Sequence, residues 1–283
     1  MVNEKLTWTE IQSRRLAELD ADPLVLERFF KTSGERNRCF QQLEKELIRK
    51  ARYRLDQFRN HIRRPQLCRL ETRLIEALNA AGFIQVTTPT LLARGLLARM
   101  SIDEKHPLYS QVYWVDRNHC LRPMLAPHLY YLLVDLLRLW DKPVRIFEIG
   151  SCFRRESQGS RHASEFTMLN LVEMGLPLDH RQERLEELAA LVCDAAGLKD
   201  YEIETEQSAV YGETIDIVNV EDRLELGSCA MGPHPLDAAW QIYENWVGLG
   251  FGLERLLMAN RNSKNLAKVG KSLAYLDGVR LNV

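Results

Sequence analysis

The stretch WVGLGFGLERLLM, residues 246–258, restricts this chain more than any other. Gly248, Gly250 and Gly252 alternate, and the side chains of a β-strand alternate between its faces, so one face of this strand is bare. A bare face suits a flat ligand or the close packing of backbone on backbone. Glu254 and Arg255 follow at the start of a helical pattern, which aims a guanidinium over that face, suited to stacking on a base and to meeting a phosphate. This is not the dinucleotide-binding GxGxxG, because Leu253 stands where the third glycine should be and no parallel βαβ unit surrounds it.

A second stretch points the same way. FEIGSCFRRESQGSRHASEFTMLN, residues 147–170, runs from an apolar strand through a polar loop into another apolar strand, with Arg154, Arg155 and Glu156 at one lip and His162 and Phe166 at the other. A surface hairpin has no need of such a cluster, whereas a site gripping a phosphorylated ligand between two strands does. Period two places Phe166, Met168, Asn170 and Val172 on one face of the returning strand.

Periodicity predicts helices over 37–62, 66–81, 127–140, 181–196 and 253–261, with Gly82 and Gly197 as stop signals after the second and fourth. Strands are predicted over 83–90, on both sides of the 144–174 hairpin, and over 201–206, 210–218, 224–231 and 246–252. Helices flanking a mainly antiparallel sheet make the expected class α+β. The expected division is a helical, basic segment over 1–65 and a main domain over 66–283.

With 283 residues, 46% of them hydrophobic, the chain can bury a substantial core. It has no apolar run of membrane-spanning length, and its first residues, MVNEKLTWTEIQ, lack the apolar core of a signal peptide, so the expectation is a cytoplasmic protein with no membrane partner. Cys39, Cys68, Cys120, Cys152, Cys193 and Cys229 form no CxxC pair, which fits reduced structural thiols and not a zinc cage. The net charge is −1, yet between Arg49 and Arg73 nine Lys and Arg face only Asp56 and Glu71. That segment reads either as a solvated helix face or as an arm that contacts phosphates.

Together, GFIQVTTP at 82–89 after a helix, the FRRE…H…F hairpin at 153–166 and GxGxGxER at 248–255 resemble motifs one, two and three of the class II aminoacyl-tRNA synthetases. The likeness implies an antiparallel sheet flanked by helices, ATP as a substrate and, through motif one, a homodimer. It implies that Arg154 holds the α-phosphate and, with Arg255, is catalytic. Glu156 would read the adenine amino group, His162 would sit near the distal phosphates, and Phe166 would stack on adenine opposite Arg255 above Gly252. It also implies Mg2+ on LELGSCAMG at 224–232, held by Glu225 and Ser228, which offer the hard oxygens this ion takes beside phosphates. A separation of three puts those two on opposite faces of a regular strand, so a bulge or twist is expected at Gly227.

Beyond these motifs, LRPMLAPHLYYLL, EFTMLNLVEMG, VYGETIDI and the C-terminal SLAYLDGVRLNV resemble the catalytic domain of the pyrrolysyl-tRNA synthetases, and the likeness covers nearly the whole chain. It implies a side-chain pocket of Ala126, Leu129, Tyr130, Leu133, Asn170, Val172, Tyr211 and Trp246. That set holds no acid to pair with a cationic side chain, which favours a long neutral one carrying an amide. Asn170 would donate to the amide carbonyl, Tyr211 would close over the ring and amino group, and Arg122 would approach the amino acid or its adenylate. APHLY departs from the expected APNLY at His128, which reads as a packed or capping residue.

Archaeal members carry an N-terminal tRNA-binding domain, and bacterial members supply it as a separate protein, which is an implied partner here. The basic segment, with Arg52, Arg59 and Arg63, would then be this chain's own handle on a pyrrolysine-specific tRNA. Two other readings stay open: a class II synthetase for another bulky amino acid such as phenylalanine, and a non-charging regulatory paralogue. The second would have lost one of Arg154, Glu156, Glu225 or Arg255, and all four are present.

Overall fold

The computed structural model describes residues 6–61, 63–155, 163–208 and 212–283. They form two compact units, one of Met1–Pro65 with Ser272–Val283 and one of Gln66–Lys271.

In the first unit, helix α1 (Glu10–Glu18) begins at Thr9, which accepts from the Gln12 amide while the Gln12 side chain accepts from the Thr9 amide, so two orphan donors are satisfied reciprocally. Helix α2 (Pro23–Leu26) is a single turn, and α3 (Ser33–Asn60) runs for 28 residues. Trp8, Leu16 and Phe30 make a small core against Phe40, Leu43 and Leu47. The only buried residue of α3 is Ala51, so most of that helix is bathed in water. It starts ahead of the expected residue 37 because Thr32 caps it, accepting from the Glu35 amide at 3.1 Å.

The second unit opens with α4 (Gln66–Ala80), whose Leu70, Leu74 and Leu78 recur every turn and are fully buried. Gly82 then turns the chain with φ +83°, a conformation that costs other residues a steric clash. Strand β1 (Ile84–Gln85) follows, then β2 (Leu91–Ala93), α5 (Arg94–Arg99), β3 (His119–Leu121) and α6 (Ala126–Leu139). Strands β4 (Val144–Phe153) and β5 (Glu165–Met174) are the long hairpin, paired one to one over their whole length. Helix α7 (Arg181–Ala196), strands β6 (Tyr201–Ser208), β7 (Gly212–Asn219), β8 (Glu225–Gly232) and β9 (Trp246–Gly252), and helix α8 (Leu253–Asn260) complete it. The seven-stranded sheet has the order β1-β4-β5-β9-β8-β7-β6, antiparallel except where β1 lies parallel to β4. The architecture is α+β.

Alternation along the strands divides the interior. Val247, Leu249 and Phe251 of β9 and Leu169 and Leu171 of β5 face α4, α7 and α8 in the larger core. On the opposite face, Val172, Met174 and Trp246 pack with Leu129, Tyr130 and Leu133 of α6.

Strand β1 is shorter than the predicted 83–90. After the Val86 amide bonds to the Phe147 carbonyl at 2.8 Å, the Thr88 amide turns to the Glu148 carboxylate at 3.1 Å, and Pro89 has no N–H for a ladder. In the first unit, β10 (Tyr275–Leu276) and β11 (Val279–Arg280) form a hairpin through Asp277 and Gly278, both at positive φ, the turn that two-residue hairpins prefer. Cys120, Cys152, Cys193 and Cys229 are buried, and burial pushes their thiols up, Cys120 to about 11 and Cys152 and Cys193 to about 12. They are protonated near neutrality. Among the described residues no helix is long and apolar enough to cross a membrane.

Candidate active site

A cavity of about 540 Å³ lies on the α6 side of the sheet. Its floor is the bare face of β9. Gly248, Gly250 and Gly252 pair with Val172, Asn170 and Met168 of β5, and Gly248 and Gly250 also pair with Ala230 and Ser228 of β8. All of these line the cavity. A side chain at Gly250 would come no nearer than 3.6 Å to Asn170 or Met168, and one at Gly252 no nearer than 3.6 Å to Arg255. Such distances are ordinary contacts, so these two glycines are not forced by backbone packing and their effect is to keep the floor empty. Gly227 and Gly232 are different: an added Cβ would lie 2.6 Å from the Gly250 carbonyl at the first and 1.7 Å from the Trp246 ring nitrogen at the second.

Strand β5 carries the length of the site. Phe166, Met168, Asn170, Val172 and Met174 all reach the cavity, as period two requires. The Asn170 amide is anchored by donating to the Leu249 carbonyl at 3.2 Å, and its second N–H is the one available for a ligand. At one end of the cavity Arg154 is oriented by its Nε, which donates to the Pro123 carbonyl at 2.9 Å, and its guanidinium lies 5.3 Å above the Phe166 ring. Arg255 pairs with the Glu225 carboxylate at 3.0 Å and donates to its carbonyl at 3.2 Å.

Strand β8 breaks its register beside these cations. Ile217 of β7 faces Gly227 while Val218 faces Glu225, which leaves Leu226 as the extra residue of a bulge. Glu225 and Ser228 therefore line the same cavity although three residues apart. Asp216 of β7, directly across from Ser228, lines it too and went unnoticed in the sequence. Its signal was the alternation of Thr214 and Asp216 within an apolar strand.

The other end is aliphatic and aromatic: Ala126, Leu129, Tyr130 and Leu133 from the first turns of α6, with Val172 and Trp246. Arg122 was expected to approach the amino acid or its adenylate. It is 4% exposed and does not line the cavity, because its guanidinium is held by Glu148 at 2.8 Å and by the carbonyls of Thr88 and Ser151 at 3.2 and 2.8 Å. A Cβ at Gly150 would lie 2.2 Å from Arg122 Nη2, so that glycine makes room for it. Glu156, His162 and Tyr211 lie outside the described residues.

His128 belongs to the same buried group. The Thr88 hydroxyl donates to Glu148 Oε2 at 2.6 Å and stands 3.3 Å from His128 Nδ1. With its hydrogen committed, that hydroxyl can only accept from the ring, so Nδ1 carries the proton of the neutral imidazole. Burial, and then the charge of Arg122, lower the His128 pKa, with Glu148 opposing. Glu254, at the start of α8, is 2% exposed and accepts the Thr167 amide at 3.0 Å on each oxygen. Burial raises its pKa. It thereby ties α8, and with it Arg255, to β5.

In the first unit Arg52, Arg59 and Arg63 are exposed, whereas Arg54 pairs with Asp20 at 3.0 Å.

A family model described as "tRNA synthetases class II core domain (F)" matches residues 55–276. Two solved structures of pyrrolysyl-tRNA synthetase from Desulfitobacterium hafniense are similar to this chain. One is 52% identical with a TM-score of 0.91, covering 98% of this chain and 99% of that one. The other is 50% identical with a TM-score of 0.89, covering 99% of this chain and 96% of that one. Among curated relatives, a lysine–tRNA ligase of Moorella thermoacetica is 33% identical over 44% of this chain and 24% of its own length. Another, of Oceanobacillus iheyensis, is 32% identical over 41% and 21%. The chain thus spans about a quarter of the length of the curated relatives it matches.

Proposed function

The chain belongs to the class II tRNA synthetase core family, and on that premise we propose that it activates pyrrolysine with ATP and transfers it to a pyrrolysine-specific tRNA. The observation that carries the proposal is the layout along β5. Phe166 lies beside Arg154, Asn170 comes midway, and Val172 and Met174 lie among the apolar wall, so a nucleotide and a long side chain fit end to end. Among the described residues, the side-chain end, from Ala126 to Leu133 with Val172 and Trp246, offers no carboxylate in its lining. Burying an unpaired ammonium costs several kcal/mol, so free lysine is disfavoured and an ε-acylated one, meeting the Asn170 N–H, is favoured. The similarity over nearly the full length to structures of pyrrolysyl-tRNA synthetase supports the same reading.

In activation a carboxylate oxygen of the amino acid attacks the α-phosphorus, the bond to pyrophosphate breaks, and an aminoacyl-adenylate results. Charge gathers on the phosphate oxygens, and Arg154 and Arg255 offset it from positions already fixed by Pro123 and Glu225. Phe166 stacks adenine on the ring face that Arg154 does not cover. Glu225, Ser228 and Asp216 fit Mg2+, which takes one or two carboxylates and completes its shell with phosphate oxygens and water. When bound, that ion offsets charge on the leaving pyrophosphate. By resemblance Glu156 reads adenine, His162 meets the distal phosphates and Tyr211 closes over the pyrrolysine ring. Arg122, committed to Glu148, lies over Gly150 on the same sheet face as Met168 and Asn170.

Exposed Arg52, Arg59 and Arg63 serve as tRNA contacts within the first unit, and 66–283 is the catalytic domain, its last residues, Ser272–Val283, grouping with the first unit. A cytoplasmic homodimer assisted by a separate N-terminal-type tRNA-binding protein completes the proposal. Amino-acid-dependent exchange of pyrophosphate into ATP, run with pyrrolysine, lysine and phenylalanine, tests it. Pyrrolysine is expected to stimulate exchange most, and stronger stimulation by lysine or phenylalanine defeats the substrate assignment.

A further inference from the structure

Behind the aromatic end of the cavity stands a carboxylate that does not line it. Asp237, in the turn 235–240 between β8 and β9, is 1% exposed. Its Oδ1 accepts from the Tyr130 hydroxyl at 2.7 Å. Its Oδ2 accepts from the Trp246 indole N–H at 2.7 Å and from the His234 amide at 2.6 Å. All three donors are neutral. A buried carboxylate is costly unless hydrogen-bonded, so each donor is held as firmly as it holds.

Tyr130 and Trp246 come from α6 and from the first position of β9, and their rings meet edge to face at 6.2 Å. Tyr130 also stacks on Trp240 at 5.3 Å. Packing alone lets such rings slide, whereas hydrogen bonds from both polar tips to one buried carboxylate fix where they stop. The same geometry hides an anion. Among the described residues the apolar end is lined by no negative charge, and the Tyr130 ring stands between the cavity and Asp237.

We propose that Asp237 is the specificity-positioning residue of the side-chain pocket: it holds Tyr130 and Trp246 as the end wall, and it is a masked anion that makes the pocket accept a cation once Tyr130 is removed. The proposal rests on the reading of this cavity as an amino-acid site. It explains how a pocket suited to neutral side chains can have a carboxylate directly behind its wall.

Pyrophosphate exchange with the full chain tests both parts. Asp237→Asn turns an amide N–H toward a donor that the carboxylate accepted, and KM for pyrrolysine should rise about tenfold while KM for ATP stays within about twofold. An equal rise in both KM values would mean general damage and overturn the positioning role. The second arm leaves Asp237 in place. In Tyr130→Ala, a lysine ε-acylated with a chain ending in an ammonium should outperform its methyl-ended counterpart about tenfold or more, reversing the wild-type order. Adding Asp237→Asn should erase that preference. A Tyr130→Ala protein that still prefers the methyl end overturns the masked anion even if Asp237→Asn does not fold. Failure of pyrrolysine to stimulate wild-type exchange overturns the substrate reading instead, and is seen before any variant is made.

Discussion

The two ends of the cavity are built on different principles. At the phosphate end Arg154, just past the end of β4, Arg255 in the first turn of α8 and Glu225 at the start of β8 stand around a floor of glycines, half-exposed or exposed, each oriented by one or two short contacts. At the aromatic end the wall is buried, and its positions depend on a carboxylate 107 residues from Tyr130 in the chain. The first end is ready to meet charge that the ligand brings. The second is shaped before any ligand arrives. Loss of a side chain at the first should therefore remove rate with little change in stability, whereas loss at the second should change what is bound or whether the unit folds.

The largest effect tests the first half of that contrast. Arg154→Ala and Arg255→Ala should each lower adenylate formation a hundredfold or more, about 3 kcal/mol, with unfolding transitions close to wild type. Exchange at the wild-type rate in either folded variant would break the assignment of that end.

Glycines sharpen the comparison because two kinds sit side by side. Gly250→Ala adds a methyl in ordinary contact with its neighbours, so thermal unfolding should move by less than about 1 kcal/mol while exchange falls about tenfold or more through weakened nucleotide binding. Gly227→Ala drives a methyl to 2.6 Å from the Gly250 carbonyl and should destabilise by about 1–3 kcal/mol. Equal stability losses at the two positions would erase the distinction between a ligand floor and a packing contact.

In the first unit, changing Arg52, Arg59 and Arg63 together to Gln should reduce the slope of log affinity for tRNA against log salt by about three, one for each phosphate that is no longer neutralised. Aminoacylation should suffer more than tRNA-free exchange. Matching losses in both assays would make the helix end structural.

The smallest effect concerns His128. Burial and Arg122 lower its pKa, so the unfolded chain binds the proton more readily than the folded one. Its contribution to stability is full above the unfolded value of about 6.5 and is lost as pH falls through the lower folded value. Chemical denaturation of wild type should therefore show a stability that declines with acidification below about pH 6.5 more steeply than in His128→Asn. Parallel pH curves for the two proteins would exclude the neutral buried imidazole.

Much of this molecule was legible in the order of its residues. Gly248, Gly250 and Gly252 declared a bare strand face, period two placed Phe166 through Val172 on one side of β5, and a separation of three between Glu225 and Ser228 demanded the bulge that β8 has. Such signals are local, because alternation and helical spacing follow from backbone geometry alone. Helix α1 and the short α5 escaped notice because brief helices carry too few periodic positions to read.

What only the tertiary structure decided is which distant groups meet. A buried charge advertises nothing in sequence, since what makes it tolerable is a set of donors that the fold brings together. Nothing local to Arg122 announced that Glu148, Thr88 and Ser151 would enclose its guanidinium. Asp237 read as nothing at all until Tyr130 of α6 and Trp246 of β9 converged on its two oxygens.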